Sequence, residues 1–445
     1  MSHAPHQPPV VNWRTHLSLL LLALVYVFSF IDRTVIAILI EPIKAEFGVS
    51  DTLMGFLSGL AFALLYAVMG IPLGRLADSG FSRRNMVAIC CGLWSFATMA
   101  CGMAAQFWQL VLARMTVAVG EAGGMAPSIS MLSDLYPKSR RSLAISLYLM
   151  GPHVGLLLAM ALGGWIAQQY GWRATFLAFG IPGMVLALLL WLLVREPRRG
   201  AFDEIPASAP AAAPRLGMIA QVRDLLAIRA FRYVCLGCAM AGVAGYGYGI
   251  WAPSFLVRAH AMPLAHAGLV FGLIGGISAA LGSVFCGWLC DRLTRRDERW
   301  QIGLPTLGVL ASIPAGIAFV LWPAAGTWSV GSVQVPHAML LAGIFSFFAS
   351  WSAPLAYAAV SHMMAASQRA VGAALLNLFM TVLGAGCGPF LTGFLSDVFT
   401  ARFGTAGLAY ALAVTVATLG VTAVLFWMAV QPYRTRLAQV AAHPA

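Results

Sequence analysis

Apolar runs recur along this chain at residues 17–40, 53–74, 86–105, 107–133, 142–168, 173–194, 230–257, 266–290, 301–322, 337–362, 370–397 and 404–430. Each is near the ~20 residues a helix needs to cross a bilayer. Inside hydrocarbon every backbone N–H and C=O must be satisfied within the protein, so only helices and closed barrels can span. A barrel would show ~10-residue segments of alternating polarity, whereas these runs are longer and continuously apolar. The expectation is an all-α membrane protein with twelve transmembrane helices. Composition agrees: only 9% of the 445 residues are charged, against roughly 25% in a soluble domain.

The chain carries a formal net charge of +12. In a soluble protein that would suggest nucleic acid. Here the positive-inside rule accounts for it. If both termini share one side, the opposite side holds only Lys44, Arg173, Arg258 and Arg402, and Arg33 and Arg114 fall inside apolar runs. The other 21 of the 27 Lys and Arg residues lie on the side of the termini. That side is expected to be the cytoplasm, with no nucleic-acid partner. The first run is too long for a signal-peptide core and carries two charges, so it is expected to remain as the first span. The eight cysteines all fall in predicted spans, where they read as small packing residues rather than as disulfide or metal frameworks.

The longest loop, 195–229, divides the chain into a six-helix half at 1–194 and another at 230–445. Its Ala/Pro-rich stretch from Pro206 to Pro214 reads as a tether. From Arg215 to Arg229, Leu216, Ile219, Val222 and Leu226 recur at helical spacing between basic residues. This is the pattern of a helix lying on the membrane face. The halves echo each other. Gly70, Gly74 and Asp78 precede Arg83-Arg84, and Gly282, Gly287 and Asp291-Arg292 precede Arg295-Arg296. Such internal repeats mark secondary transporters.

Twelve spans, a central loop and a Gly-x-x-x-Asp-basic loop in each half resemble the major facilitator superfamily. Within it, Phe30-Ile31-Asp32-Arg33-Thr34-Val35, Glu41-Pro42-Ile43-Lys44-Ala45-Glu46-Phe47, Gly70 to Asp78, Gly120-Glu121-Ala122 and Gly163-Gly164-Trp165 resemble the spinster-like group. The likeness is dense in the N-terminal half and sparse in the C-terminal half. It implies a proton-coupled secondary transporter of an amphiphilic, anionic or lipid-like small molecule, such as a lysophospholipid or sphingosine-1-phosphate. A carrier of organic or aromatic acids is the alternative, and a non-transporting membrane sensor a more distant one. No metalloprotease, nucleophile-elbow or P-loop motif is present in the sequence, which argues against an enzyme and against ATP as the energy source. The expected coupling ion is the proton, with no cofactor and no metal. The expected setting is a monomer among membrane lipids in a bacterial inner membrane.

Four charges inside apolar runs carry the expected chemistry, since a charge facing lipid costs a few kcal/mol. Asp32 and Glu121 lie near mid-depth of their helices. Arg114 and Glu121 are seven residues apart, ~700° around a helix, and so share a face. The resemblance sets helices 1 and 4 side by side. Asp32 and Glu121 are then the expected proton carriers, with Arg33 and Arg114 as counter-ions or anion anchors. A carboxylate's proton affinity changes with its hydration and its distance from a guanidinium, which can couple proton binding to conformation. By the same analogy Tyr26, Phe30, His153, Tyr246, Tyr248, Trp251, Ser350, Trp351, Tyr357 and Asn377 are expected to line a substrate cavity. A cytoplasmic gate is expected from Gly74, Asp78, Arg83, Arg84, Arg140, Arg141, Asp291, Arg292 and Arg369. Glycine repeats beginning at Gly151, Gly268 and Gly384 read as sites of close helix approach between the halves.

Overall fold

The computed structural model describes residues 11–202, 218–364 and 368–442, leaving out the side chains of Asp78, Lys138, Met218, Ile219, Ala370, Ala441 and Ala442. Among the described residues nine helical stretches are long and apolar enough to span a membrane. Twelve crossings emerge because two of these stretches hold two each and one crossing is interrupted. Crossings 1, 2 and 3 are Trp13–Phe47, Asp51–Ala77 and Arg83–Met103. Crossing 4 is broken into Phe107–Glu121 and Met125–Leu135. Crossings 5 and 6 share Ser139–Leu193 and part at Gly171, whose φ of 85° is open to glycine. Crossings 7 to 10 are Arg229–His260, Leu264–Thr294, Trp300–Leu321 and Met339–Met363. Crossings 11 and 12 share Val371–Val440 and part at Gly404.

One element departs from the all-helical expectation. Thr327–Val330 pairs antiparallel with Val333–Pro336 between crossings 9 and 10. Gly331, at φ 61°, supplies the first central residue of the two-residue turn, the type II′ pattern. A short helix, Met218–Ala227, occupies part of the linker stretch read as amphipathic, and the Pro206–Pro214 tether lies outside the described residues.

The chain forms two compact units. Unit 1 comprises Met1–Val35, Leu65–Ala159 and Gln169–Pro214, and unit 2 comprises Ile36–Leu64, Met160–Gln168 and Arg215–Ala445. In unit 1 a Cβ on Gly151 would come 2.9 Å from the Tyr26 ring, and one on Gly155 would come 2.6 Å from the Val27 carbonyl. These glycines therefore seat crossing 5 on crossing 1. In unit 2 a Cβ on Gly384 would lie 2.9 Å from Gly242 Cα, so this glycine seats crossing 11 on crossing 7. Gly268 packs against the Met160 carbonyl of crossing 5, while Gly276 has open space around it. The glycine motifs thus serve several different helix pairs, and the repeat spacing alone does not say which.

Candidate functional site

The four charges inside the membrane meet in unit 1. Two glycines of crossing 4 make this possible. A Cβ on Gly120 would lie 2.8 Å from Trp94 Cβ, and one on Gly124 would lie 3.3 Å from the Trp94 ring. Crossing 4 therefore presses its backbone onto crossing 3, and its helix lapses after Glu121. Glu121, 3% exposed, points to crossing 1. Its Oε2 accepts from Arg33 Nη2 at 2.7 Å, Arg33 Nε at 3.1 Å and Ser29 Oγ at 3.1 Å. Two turns back, the fully buried Arg114 donates from Nη1 to the backbone carbonyl of Asp32 at 2.6 Å. Arg114 thus serves the main chain of crossing 1 where its helical pattern is interrupted at Val35.

Asp32 is 1% exposed, and neither carboxylate oxygen has a hydrogen-bond partner among the described residues. Thr98 of crossing 3 stands beside it with its own hydroxyl unsatisfied. A carboxylate sealed in with no donor at hydrogen-bond distance among the described residues is costly when charged and much less so when neutral. The expected cluster therefore forms, with one difference of detail. Arg33 and Glu121 make the ion pair, while Asp32 is set apart from it.

Aromatic rings frame the pair. The Arg33 guanidinium lies 5.0 Å from the Phe30 ring centroid and 4.8 Å from that of Tyr66, within cation–π reach. Tyr26 stacks on Tyr148 at 4.5 Å and meets Phe30 edge-on at 5.3 Å. Tyr26, Phe30, Arg33 and Tyr66 are partly exposed, so these rings form a half-open wall. Tyr66, Tyr148, Ser29 and Thr98 were missed by sequence reasoning. They lie within apolar stretches, where nothing in their spacing marks them.

The C-terminal candidates do not stay together. Tyr248 is 3% exposed and packs on Phe271, Phe319 and Phe345. Trp251 is fully buried and donates its indole N–H to the Pro389 carbonyl at 2.9 Å. Trp351 belongs to a core with Cys286, Cys290, Leu304 and Leu355. These three are placed in packed interior rather than along open space. Tyr246 and Tyr357 are exposed, and the Tyr357 hydroxyl donates to Asn377 Oδ1 at 3.3 Å. Ser350 Oγ donates to the Phe347 carbonyl at 2.8 Å, and His153 is exposed in unit 1.

Of the expected gate, Arg83 is buried and occupied locally. It bonds Asp134, Ser130 Oγ, the Pro197 carbonyl and Glu196, so it ties the start of the linker to crossings 3 and 4. Burial opposes ionisation of Glu196. The Arg84 backbone N–H, the Arg83 guanidinium and the Ser82 hydroxyl outweigh it and hold the carboxyl below the usual glutamate range. Arg84 stacks its donors on Asn85 Oδ1, and Arg369 Nε reaches the Met364 carbonyl at 3.4 Å. Arg140, Asp291 and Arg292 are exposed, Arg141 is partly so, and Gly74 has open space around it. The side chain of Asp78 lies outside the described residues.

A second charged cluster, in unit 2, was not anticipated. Arg258 of crossing 7 donates from Nη1 and Nη2 to Asp51 at 2.7 and 2.8 Å, and from Nε to both Glu41 oxygens at 2.9 and 3.0 Å. Asp51 also accepts from Lys44 at 2.6 Å and from Ser396 at 2.6 Å. Asp397 caps the start of crossing 2 by accepting from the backbone N–H of Asp51 and of Thr52. In the sequence, Arg258 stood out only as a sparse basic residue at the end of an apolar run, and Glu41 and Lys44 only within a stretch resembling the spinster-like group.

The Major Facilitator Superfamily profile matches residues 22–347. An MFS-type efflux pump of Mycolicibacterium smegmatis is 33% identical over 434 residues, covering 97% of this chain and 96% of that protein. The sphingosine-1-phosphate transporter SPNS2 of Mus musculus is 26% identical over 394 residues, 85% of this chain and 69% of that one. Among solved structures, a bacterial homologue of the human lysosomal transporter Spinster, inward-facing and unoccupied, superposes with a TM-score of 0.82 at 30% identity. That match covers 96% of this chain and 98% of the homologue. With its twelve crossings, this chain is a multi-pass membrane transporter that belongs to the major facilitator superfamily and, within it, to the spinster-like group.

Proposed function

We propose that the chain is a proton-coupled secondary transporter of an amphiphilic, anionic or lipid-like molecule, working by alternating access. The carrying observation is Asp32: a buried carboxyl without a hydrogen-bond partner among the described residues, one residue from the Arg33–Glu121 pair. A carboxyl in such surroundings takes up a proton when dry and releases it when wetted. Glu121 exchanges Arg33 for a proton in the same cycle, and the freed guanidinium is then available to an anionic headgroup. The half-open wall of Tyr26, Phe30 and Tyr66 suits the apolar part of such a molecule. The likeness to a sphingosine-1-phosphate transporter supports a lipid-like cargo. The latch of Glu41, Lys44, Asp51 and Arg258 is an interaction that alternating access requires to break and reform. The excess of basic residues on one side supports cytoplasmic termini in a bacterial inner membrane, and the protein works as a monomer.

Proteoliposomes test this reading. Uptake of lysophospholipid, sphingosine-1-phosphate and an aromatic acid is measured with and without a pH gradient. The gradient is expected to drive one of the lipid-like substrates. Asp32→Asn and Glu121→Gln should abolish the gradient dependence in protein that remains monodisperse. Gradient-independent transport by the wild type would remove the proton. Uptake of the aromatic acid alone would move the cargo to organic anions.

A further inference from the structure

Crossings 8 and 10 run in contact, and their separation changes along their length. At Gly282 a Cβ would collide with the Phe347 carbonyl, so the backbones touch there. Four residues earlier the contact loosens: a Cβ on Gly343 would meet Ser278 Oγ at 3.2 Å and Ile274 Cγ2 at 3.3 Å. Toward the hairpin between crossings 9 and 10 the two helices line a groove of about 420 Å³. Its floor is Ile274, Ser278 and Gly343, and Phe347 and Phe348 close its narrow end.

The hairpin forms the other end. Trp328 and Val335 are cross-strand partners on one face, and both line the groove. Thr327, Ser329 and Gln334 bond one another, with Thr327 Oγ1 and Ser329 Oγ donating to Gln334 Oε1 at 2.9 and 3.1 Å. Alternation along the strands thus points an apolar face into the groove and leaves the polar side chains on the opposite face. Trp322, 45% exposed, ends crossing 9 just before the hairpin, as expected of an aromatic belt at a membrane–water boundary.

The rim is continuous with the surface this transporter presents to the bilayer. Leu340 is 60% exposed, Ile277 56% and Leu281 61%. Apart from Ser278, every side chain facing the groove is apolar, and its size is in the range of small-molecule sites. A groove within the span that opens onto the lipid boundary is in contact with hydrocarbon. We propose that it is a lipid site that holds one acyl chain of a bilayer phospholipid, with the headgroup at the level of the hairpin. The site is separate from the Asp32–Glu121 cluster of unit 1, and it does not depend on what the protein transports.

The test is photocrosslinking in the bilayer. Full-length protein is reconstituted with a phospholipid bearing a diazirine on its acyl chain, irradiated and mapped by mass spectrometry. Adducts should be several-fold more frequent on residues 274–278 and 339–348 than on the exposed face of crossing 12 at Val421, Val424 and Trp427. Ser278→Leu fills the floor and Val335→Trp fills the roof, from different elements. Each should reduce the groove adducts to the crossing 12 level and leave crossing 12 unchanged. Equal labelling around the whole perimeter, or groove labelling that survives in both folded variants, would overturn the site.

Discussion

Asp51→Asn is the most informative single change, because its cost can be worked from the geometry. The Asp51 side chain is 1% exposed and accepts four bonds, two from Arg258, one from Lys44 and one from Ser396. An amide keeps the shape but removes the charge, and in either orientation it turns an NH₂ toward at least one Arg258 N–H, which can only donate. Breaking a buried ion pair costs ~3–5 kcal/mol. The lower end applies, because Arg258 keeps Glu41 and is itself 20% exposed. About 3 kcal/mol corresponds to roughly two decades in the equilibrium between the latched and open states. The reporter is a cysteine at Met54, fully buried on the next turn of crossing 2, in a chain whose eight native cysteines are replaced. When opening is fast, maleimide labelling tracks the open population, so the rate should rise about a hundredfold. Glu41→Gln removes a partner that is 22% exposed, worth about 1 kcal/mol, and should give roughly fivefold. A labelling rate for Asp51→Asn within a factor of about three of its parent, or equal effects of the two changes, would refute the view that Asp51 is the centre of the latch.

Three further outcomes follow from the same geometry. Arg33→Lys keeps the charge but gives up one of the two bonds to Glu121 and the stacking plane for Phe30 and Tyr66. A charge-assisted bond is worth at least about 1.5 kcal/mol, so gradient-driven uptake should fall roughly tenfold in kcat/KM, and wild-type kinetics would dismiss the guanidinium geometry. Gly155→Leu forces a side chain into the Val27 carbonyl and should sharply lower the yield of monodisperse protein, whereas Gly276→Leu, with nothing within 4 Å, should not. Glu196 is held below its ordinary pKa in the folded protein. Its contribution is therefore complete above the unfolded value and is lost as pH falls through the folded one. Amide exchange at residues 195–202, corrected for intrinsic pH dependence, should stay slow near neutrality and speed up below the normal glutamate range. Glu196→Gln should show the fast behaviour at all pH values, and identical profiles would count against the tie.

What could be read from the sequence is what apolar length and isolated charge encode. The twelve crossings follow from the runs because hydrocarbon admits only helices and closed barrels, and runs this long and continuously apolar fit helices alone. Asp32, Arg33, Arg114 and Glu121 stood out because each is expensive where it lies. The latch was hidden because Glu41, Lys44 and Asp51 sit at the ends of runs, where charge is ordinary. Their meaning depends on Arg258, some two hundred residues away. Tyr248, Trp251 and Trp351 were misplaced for a related reason: composition does not distinguish an aromatic ring that walls a cavity from one that fills a core. Tyr66 was invisible because its contact with Arg33 is spatial and leaves no pattern in the sequence. The hairpin escaped because strands of four residues leave no periodic signal between two long helices.

The turn at Gly331-Ser332 offers something else. It is exposed, closes on two residues, and is stabilised by its own strands and the Gln334 side chain. Loop tips of this kind accept insertions. A short epitope placed there, paired with one at the C-terminus, would turn the fold into a sidedness gauge. In intact spheroplasts antibody should reach the hairpin tag and not the terminal one, and in inverted vesicles the order should reverse. The uptake and labelling measurements could then be made on vesicles whose orientation is known.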